Sequence, residues 1–269
     1  MTRGPDIAYR TSGNPEGKPL LLLHGFLSCN AQWMANEAAL GADHWLVMAE
    51  LWGHGNSPAP EDVDQYAVAA YVAQFEAIRE ALGIERWQAI GQSYGAGLIL
   101  GYACAHPERC TGVIVTNTRS ALGTAIPRRS SEAGASKNPL ADPNFELRKL
   151  PYHPIHARRF PEDIKAAMVA SADAMDREAI RRGGRLGAGL SFRERLHEVP
   201  VPVLIANGVY EKSFQEDINF LRATYDGLNI VDLQGGHSVN IEDAEGFNAA
   251  AAAYLAAHAP GAPGHIRRR

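Results

Sequence analysis

Cysteine is scarce, three in 269 residues, and Cys29, Cys104 and Cys110 fall into none of the spacings that bind zinc. A disulfide-stapled scaffold and a zinc module are therefore not expected, and the thiols read as reduced. No basic excess exists either. Lys+Arg 26 against Asp+Glu 30 gives a formal charge of −4 and a sequence pI near 6.2, so nothing points to a nucleic-acid partner, which needs a phosphate-neutralising surface. Long apolar runs are missing as well. The N-terminal MTRGPDIAYR lacks the apolar stretch of a signal peptide, and a run such as Leu20–Leu23 is far too short to cross a bilayer. These absences lead us to expect a soluble cytoplasmic protein with no membrane partner, acting on a small molecule. The length suffices to bury a core without staples, as one large domain or two small ones.

What is present is a recurrence of short apolar runs bounded by Gly, Pro or Asn: residues 20–23, 45–48, 87–90, 112–116, 201–205 and 228–231. Continuous rather than alternating apolarity suits strands buried on both faces, the mark of a parallel sheet. Between them, residues 66–82 and 243–258 carry helical periodicity. The alternation predicts an α/β fold, a doubly wound, mostly parallel sheet. From Thr118 to Val199 no strong strand occurs, while residues 162–174 and 176–182 favour helix and six prolines punctuate the rest. So long an insertion predicts a helical cap rather than a structureless loop. The expected organisation is a core of residues 1–117 and 200–259, a helical cap at 118–199 and a flexible C-terminal tail at 260–269.

Gly91-Gln92-Ser93-Tyr94-Gly95 follows an expected strand and opens an expected helix, which is G-x-S-x-G in a strand–turn–helix setting. Such a turn leaves no room for side chains beside the serine and exposes Ser93 Oγ above a helix N-terminus. Acyl transfer also needs two backbone N–H donors for a developing oxyanion, and Tyr94, after the serine, and Phe26, in His24-Gly25-Phe26 behind the first apolar run, occupy those positions. His24 itself reads as a structural hydrogen-bonding group. A general base is expected at His237, on the glycine-flanked Gly235-Gly236-His237 loop behind the last apolar run. The acid that orients it has three candidates, Glu211, Glu216 and Asp217. Glu211 lies nearest the strand end and is chosen, whereas Glu216 and Asp217 read as solvated acids in the first turn of the next helix.

With these motifs in place the chain resembles the α/β-hydrolase superfamily over nearly its whole length. His24-Gly25-Phe26 is similar to the oxyanion loop, Gly53-His54-Gly55-Asn56-Ser57 to the G-H-G-x-S turn, Gly208–Glu211 to the G-x-x-D acid loop and Gly236-His237 to the terminal G-H. The resemblance implies a cofactor-free hydrolase with a Ser93, Glu211, His237 triad, and a serine nucleophile disfavours the epoxide-hydrolase and dehalogenase branches. Two departures stand out. Glu211 replaces the usual Asp, and Glu50 replaces Asp ahead of the G-H-G turn. Small capped esterases and lactonases are the nearest in motif. C–C hydrolases and a menaquinone-pathway lyase carry S-x-G-G where this chain has Ser93-Tyr94-Gly95-Ala96, and they remain alternatives, as does a ligand-binding receptor with vestigial catalysis.

Residues 118–199 hold 15 Lys+Arg against 10 Asp+Glu, a net of +5 that leaves −9 on the rest of the chain. A basic lid over an acidic body would concentrate an anionic substrate. Arg119, Arg128, Arg129, Arg148, Arg158 and Arg159 are the available clamps, one or two of them expected to bind a substrate carboxylate and the others to be solvated. Trp52, just past a strand end, is expected to line the pocket. The His153/His156 pair reads as a turn, not a metal site. The oligomeric state has no signature.

Overall fold

The computed structural model describes residues 6–124, 142, 144–184, 190–258 and 266–269. In chain order the elements are β1 (Tyr9–Gly13), β2 (Lys18–Leu23), α1 (Glu37–Gly41), β3 (His44–Ala49), α2 (Val68–Ala81), β4 (Trp87–Gly91), α3 (Tyr94–Ala105), β5 (Cys110–Thr116), α4 (Arg119–Leu122), α5 (Glu162–Asp173), α6 (Arg177–Gly183), β6 (Val203–Gly208), α7 (Lys212–Thr224), β7 (Tyr225–Asp226), β8 (Asn229–Leu233), α8 (Val239–Glu242), α9 (Ala244–Ala257) and β9 (Arg267–Arg268). Seven strands form one sheet in the order β1-β3-β2-β4-β5-β6-β8, parallel throughout except for β1, which runs antiparallel to β3 at the edge.

The alternation of side chains along each strand builds two apolar layers. Leu21, Leu23, Val47, Ala89, Val113 and Ile205 face α2, α3 and α7, with Tyr71, Phe75, Leu98 and Phe214 in the same cluster. Leu20, Leu22, Leu46, Ile90, Ile114 and Leu204 face the other way, onto Leu40 of α1 and Phe247 and Leu255 of α9. Both faces of the central strands are dry, which is why their runs are continuously apolar.

Chain order reverses at β2, which pairs with β3 on one side and β4 on the other. The carboxyl ends of β2 and β4 therefore flank the point where α/β sheets form a crevice. Between β5 and β6 the described residues contain α4, α5, α6 and short 310 turns, and no strand. The strand β1 is not evident in the sequence because an exposed edge strand needs no apolar run. The expected flexible tail is corrected over residues 266–269: Ile266 is buried and Arg267–Arg268 pairs antiparallel with Tyr225–Asp226. An apolar anchor and two backbone partners hold that end in place. Residues 260–265 of the expected tail lie outside the described residues.

Candidate active site

The turn from β4 into α3 places Ser93 at φ +51°, ψ −112°. Only close backbone approach allows that turn. A Cβ on Gly91 would lie 2.7 Å from Ala96 Cα, and one on Gly95 would lie 2.5 Å from the His24 carbonyl oxygen. Both glycines of the motif are thus required by contact with neighbouring backbone. Among the described residues Leu27 (φ +56°) is the only other non-glycine at positive φ, and it follows Phe26 directly. Strain of this kind costs on the order of 1–3 kcal/mol per residue, and here it falls on the two segments meeting at the switch point.

The loop after β2 is held by two imidazoles. His24 Nδ1–H donates to the Gly25 carbonyl (2.8 Å) while Nε2 accepts from the Leu51 N–H (3.2 Å). His54 Nδ1–H donates to the Trp52 carbonyl (2.8 Å) while Nε2 accepts from the Leu27 N–H (3.1 Å). Each ring must be neutral to accept at Nε2. Burial delivers this by pushing His24 down to about 4 and His54 down to about 3. His24 is structural, as expected from the sequence, and His54 is its counterpart from the G-H-G turn. Glu50 braces that turn, its carboxylate accepting from the Asn56 N–H (2.7 Å) and the Asn30 N–H (3.3 Å). No described group accepts from the Phe26 or Tyr94 N–H.

His237 stands between Ser93 and Glu211. Its Nε2 is 2.9 Å from Ser93 Oγ and its Nδ1 is 3.1 Å from both oxygens of Glu211. Burial pushes the Glu211 carboxyl up, but the hydrogen bond and charge of His237, the Asn117 amide and the charge of Arg119 outweigh it and hold the carboxyl below its ordinary value. The His237 side chain is 46% exposed, and although partial desolvation of the ring opposes the charged form, Glu211, by hydrogen bond and charge, together with the charge of Glu242, raises it above the ordinary histidine value. Glu211, one methylene longer than the usual Asp, reaches the imidazole with both oxygens. Gly208 packs so near the His237 loop that a Cβ on it would lie 2.0 Å from the Gly236 carbonyl oxygen.

Asn117, at the end of β5, escapes sequence reasoning. Its amide donates to Glu211 Oε2 (2.8 Å) and to the Gly208 carbonyl (3.0 Å), and its Oδ1 accepts the Gly208 N–H (2.7 Å). A lone Asn after a strand carries no signal of such a role. A buried amide chain also goes unannounced. Ser28 donates to Gln32, Gln32 to Asn240, and Asn240 and Asn36 bond each other, linking the Phe26 loop to the helix after His237.

Several expectations are corrected. Trp52, expected to line the pocket, is 3% exposed within the core cluster, and the Tyr71 hydroxyl accepts its backbone N–H. Asp217 is not a solvated acid but a buried one, bonded to Arg193 (3.1 Å) and the Thr124 N–H (3.1 Å), since it falls on the inner face of α7. Glu216 is exposed, and neither lies within hydrogen-bonding distance of His237. Among the arginines, Arg148 is paired with Asp173 and Arg159 with Glu242, which commits both. Arg119 is exposed and its charge reaches Glu211, Arg158 is exposed, and Arg128 and Arg129 lie outside the described residues. His153 accepts the Ile155 N–H and His156 donates to the Arg148 carbonyl, so the pair serves a turn. Among the described residues no cluster of three His, Cys, Asp or Glu could hold a metal ion, and no helix is long and apolar enough to cross a membrane.

The sequence profile of the α/β hydrolase fold matches residues 18–244. The chain belongs to the α/β-hydrolase family. Within this family it is 25% identical to a putative 2-succinyl-6-hydroxy-2,4-cyclohexadiene-1-carboxylate synthase of Bacillus subtilis, over 95% of this chain and 96% of that one. It is 34% identical to a proline iminopeptidase of Xylella fastidiosa over 109 residues, 40% of this chain. That match spans only 35% of the iminopeptidase. The enol-lactonase of Burkholderia xenovorans shares the fold with a TM-score of 0.75, at 20% identity over 93% of this chain and 96% of that one.

Proposed function

We propose that this α/β hydrolase cleaves a small carboxylic ester or lactone through an acyl-enzyme. The observation that carries the reading is the relay Ser93 Oγ, His237 Nε2 at 2.9 Å, His237 Nδ1 and Glu211 at 3.1 Å, set beside two free N–H groups. Ser93 Oγ attacks the carbonyl carbon as His237 takes its proton. Glu211 fixes the tautomer and stabilises the imidazolium. The N–H groups of Phe26 and Tyr94 bind the oxyanion, and collapse of the intermediate sends the proton from His237 to the departing alkoxide. Water, deprotonated by the same imidazole, then releases the acid and restores Ser93. No cofactor is needed for any of these steps.

The Phe26 ring centroid lies 5.7 Å from that of Tyr94, the residue after Ser93, and 6.1 Å from that of Tyr152. Arg119 is exposed and its charge reaches Glu211, which supports it as the cation that attracts a substrate carboxylate. On this reading the partner is a small, anionic molecule, and three free thiols fit work in the cytoplasm. Likeness along nearly the full chain to the Bacillus subtilis synthase favours a second reading, in which the same three residues act as a base system for C–C cleavage or elimination.

A fluorophosphonate probe followed by a panel of esters, lactones and β-diketones tests both. Labelling at Ser93 with turnover of short esters or lactones is expected, faster for carboxylate-bearing substrates and with that preference lost in Arg119→Ala. Product formation from a β-diketone without Ser93 labelling would favour the second reading, and full ester turnover by Ser93→Ala would sink the first.

A further inference from the structure

Ser93 and Glu211 are not the only groups that hold His237. Glu242, the last residue of α8, turns its carboxylate back onto the histidine loop, where Oε2 accepts the Gly236 N–H at 3.0 Å and Arg159 Nη1 at 3.2 Å. Its side chain is only 11% exposed. Arg159 belongs to the 118–199 insertion, in the stretch between the 310 turn Pro154–His156 and α5. Its guanidinium carbon lies 4.7 Å from the ring centroid of Tyr210, the residue before Glu211. Tyr210 is itself tied to the histidine loop, by its N–H to the Gly235 carbonyl (2.8 Å) and its hydroxyl to Gln234 (3.0 Å). One arginine of the insertion therefore grips both the loop carrying the acid and the loop carrying the base.

We propose that Glu242 is a positioning residue for His237, and that Arg159, by clasping it, carries the docking of the insertion into the general base. The proposal rests on the reading of His237 as that base. The groups facing the imidazole are the Ser93 hydroxyl from the elbow, Glu211 from the acid loop with Arg119 behind it, and Glu242 from α8 with Arg159 of the insertion upon it. Asp243, next along the chain, is occupied by the N–H groups of Gln234 and Gly246. Glu242 favours the protonated ring, and a cation on its carboxylate opposes that effect. With Arg159 seated on Glu242, the imidazole becomes free to act as a base at a lower pH than without that contact.

NMR titration of the His237 imidazole in the full chain tests this with no substrate present. Glu242→Gln keeps an oxygen acceptor for the Gly236 N–H and is expected to move the midpoint down. Arg159→Ala, at the surface, is expected to move it up, and by less in the Glu242→Gln background than in wild type. The acid limb of kcat/KM is expected to move with the same signs. A midpoint unmoved by Glu242→Gln, or shifts of the same sign in the two single variants, would overturn the proposal. Arg159→Ala alone decides the matter if Glu242→Gln does not fold, because an unmoved or lowered midpoint there is equally fatal. Expected shifts in a chain that turns over no ester would remove the hydrolase reading and leave this one standing. Ester turnover without the shifts would do the reverse.

Discussion

His24 and His54 on one side of Ser93, and His237 on the other, are the same side chain put to opposite use. The first two are sealed in the fold and pushed down to about 4 and about 3, so that each offers a neutral ring with one donor and one acceptor. The third is about half exposed and is raised by its carboxylates. The Phe26–Leu27 side is held by two neutral imidazoles and the Glu50 carboxylate, with strained backbone at Leu27 and Ser93. On the proposed reading the histidine side moves a proton, and it is built from coupled charges that respond to one another. A position needs precise geometry on one side and a tuned proton affinity on the other.

The strongest way to break this comparison is to remove a working group from each side. Ser93→Ala is expected to lose on the order of 10⁴-fold or more in kcat. Ser93→Gly should lose as much activity yet unfold later than Ser93→Ala in urea, by about 1 kcal/mol, because glycine accepts φ +51° without strain. Equal stability of the two would show that the elbow is not strained. Glu211→Gln is expected to cost about 10³–10⁴-fold in kcat, by leaving the imidazole tautomer unfixed, and to lower the acid limb of the pH profile. Wild-type turnover in that variant would take the acid role away from Glu211.

The neutral histidines sharpen the comparison through pH. Their folded pKa values lie below the unfolded value of about 6.5, so the unfolded chain binds more protons and stability falls as pH drops from about 6.5 toward 4. Each contributes a slope of about 1.4 kcal/mol per pH unit across that window. His237 has the opposite sign: its contribution is complete below the unfolded pKa and is lost as pH rises through the raised folded value. Urea melts of His54→Gln between pH 7 and pH 5 should show one histidine's share of the acid loss removed. At pH 7 the variant should be less stable by about 1–3 kcal/mol, since the Leu27 N–H loses its acceptor geometry. An unchanged pH slope would mean that His54 is protonated in the fold.

How far the sequence discloses the site follows the same division. Ser93, His237 and Glu211 stand in glycine-marked loops at strand ends, where spacing and chemistry coincide, and the buried central strands announce themselves by apolar runs. Asn117, Asn240 and Glu242 are invisible there, because each acts across about 90 to 200 residues of chain or through a backbone N–H that no side-chain pattern encodes. Asp217 misleads for a related reason. A residue on a helix can turn inward or outward, and only the packing of Arg193 against it decides which.

The smallest effect concerns the arginines. Arg148 meets Asp173 through Nε at 2.9 Å, and more than half of its side chain remains in solvent. An exposed ion pair contributes little, because water screens the charges and two long side chains lose freedom in holding one geometry. Arg148→Ala is therefore expected to leave kcat/KM unchanged for neutral and carboxylate esters alike and to shift the thermal midpoint barely at all. Arg119→Ala differs, since its charge is felt at Glu211, and it should selectively slow carboxylate-bearing substrates. Parallel kcat/KM measurements on a matched ester pair separate the two positions. Equal losses in both variants would show that the basic insertion attracts substrate through its overall field rather than through one arginine beside the acid.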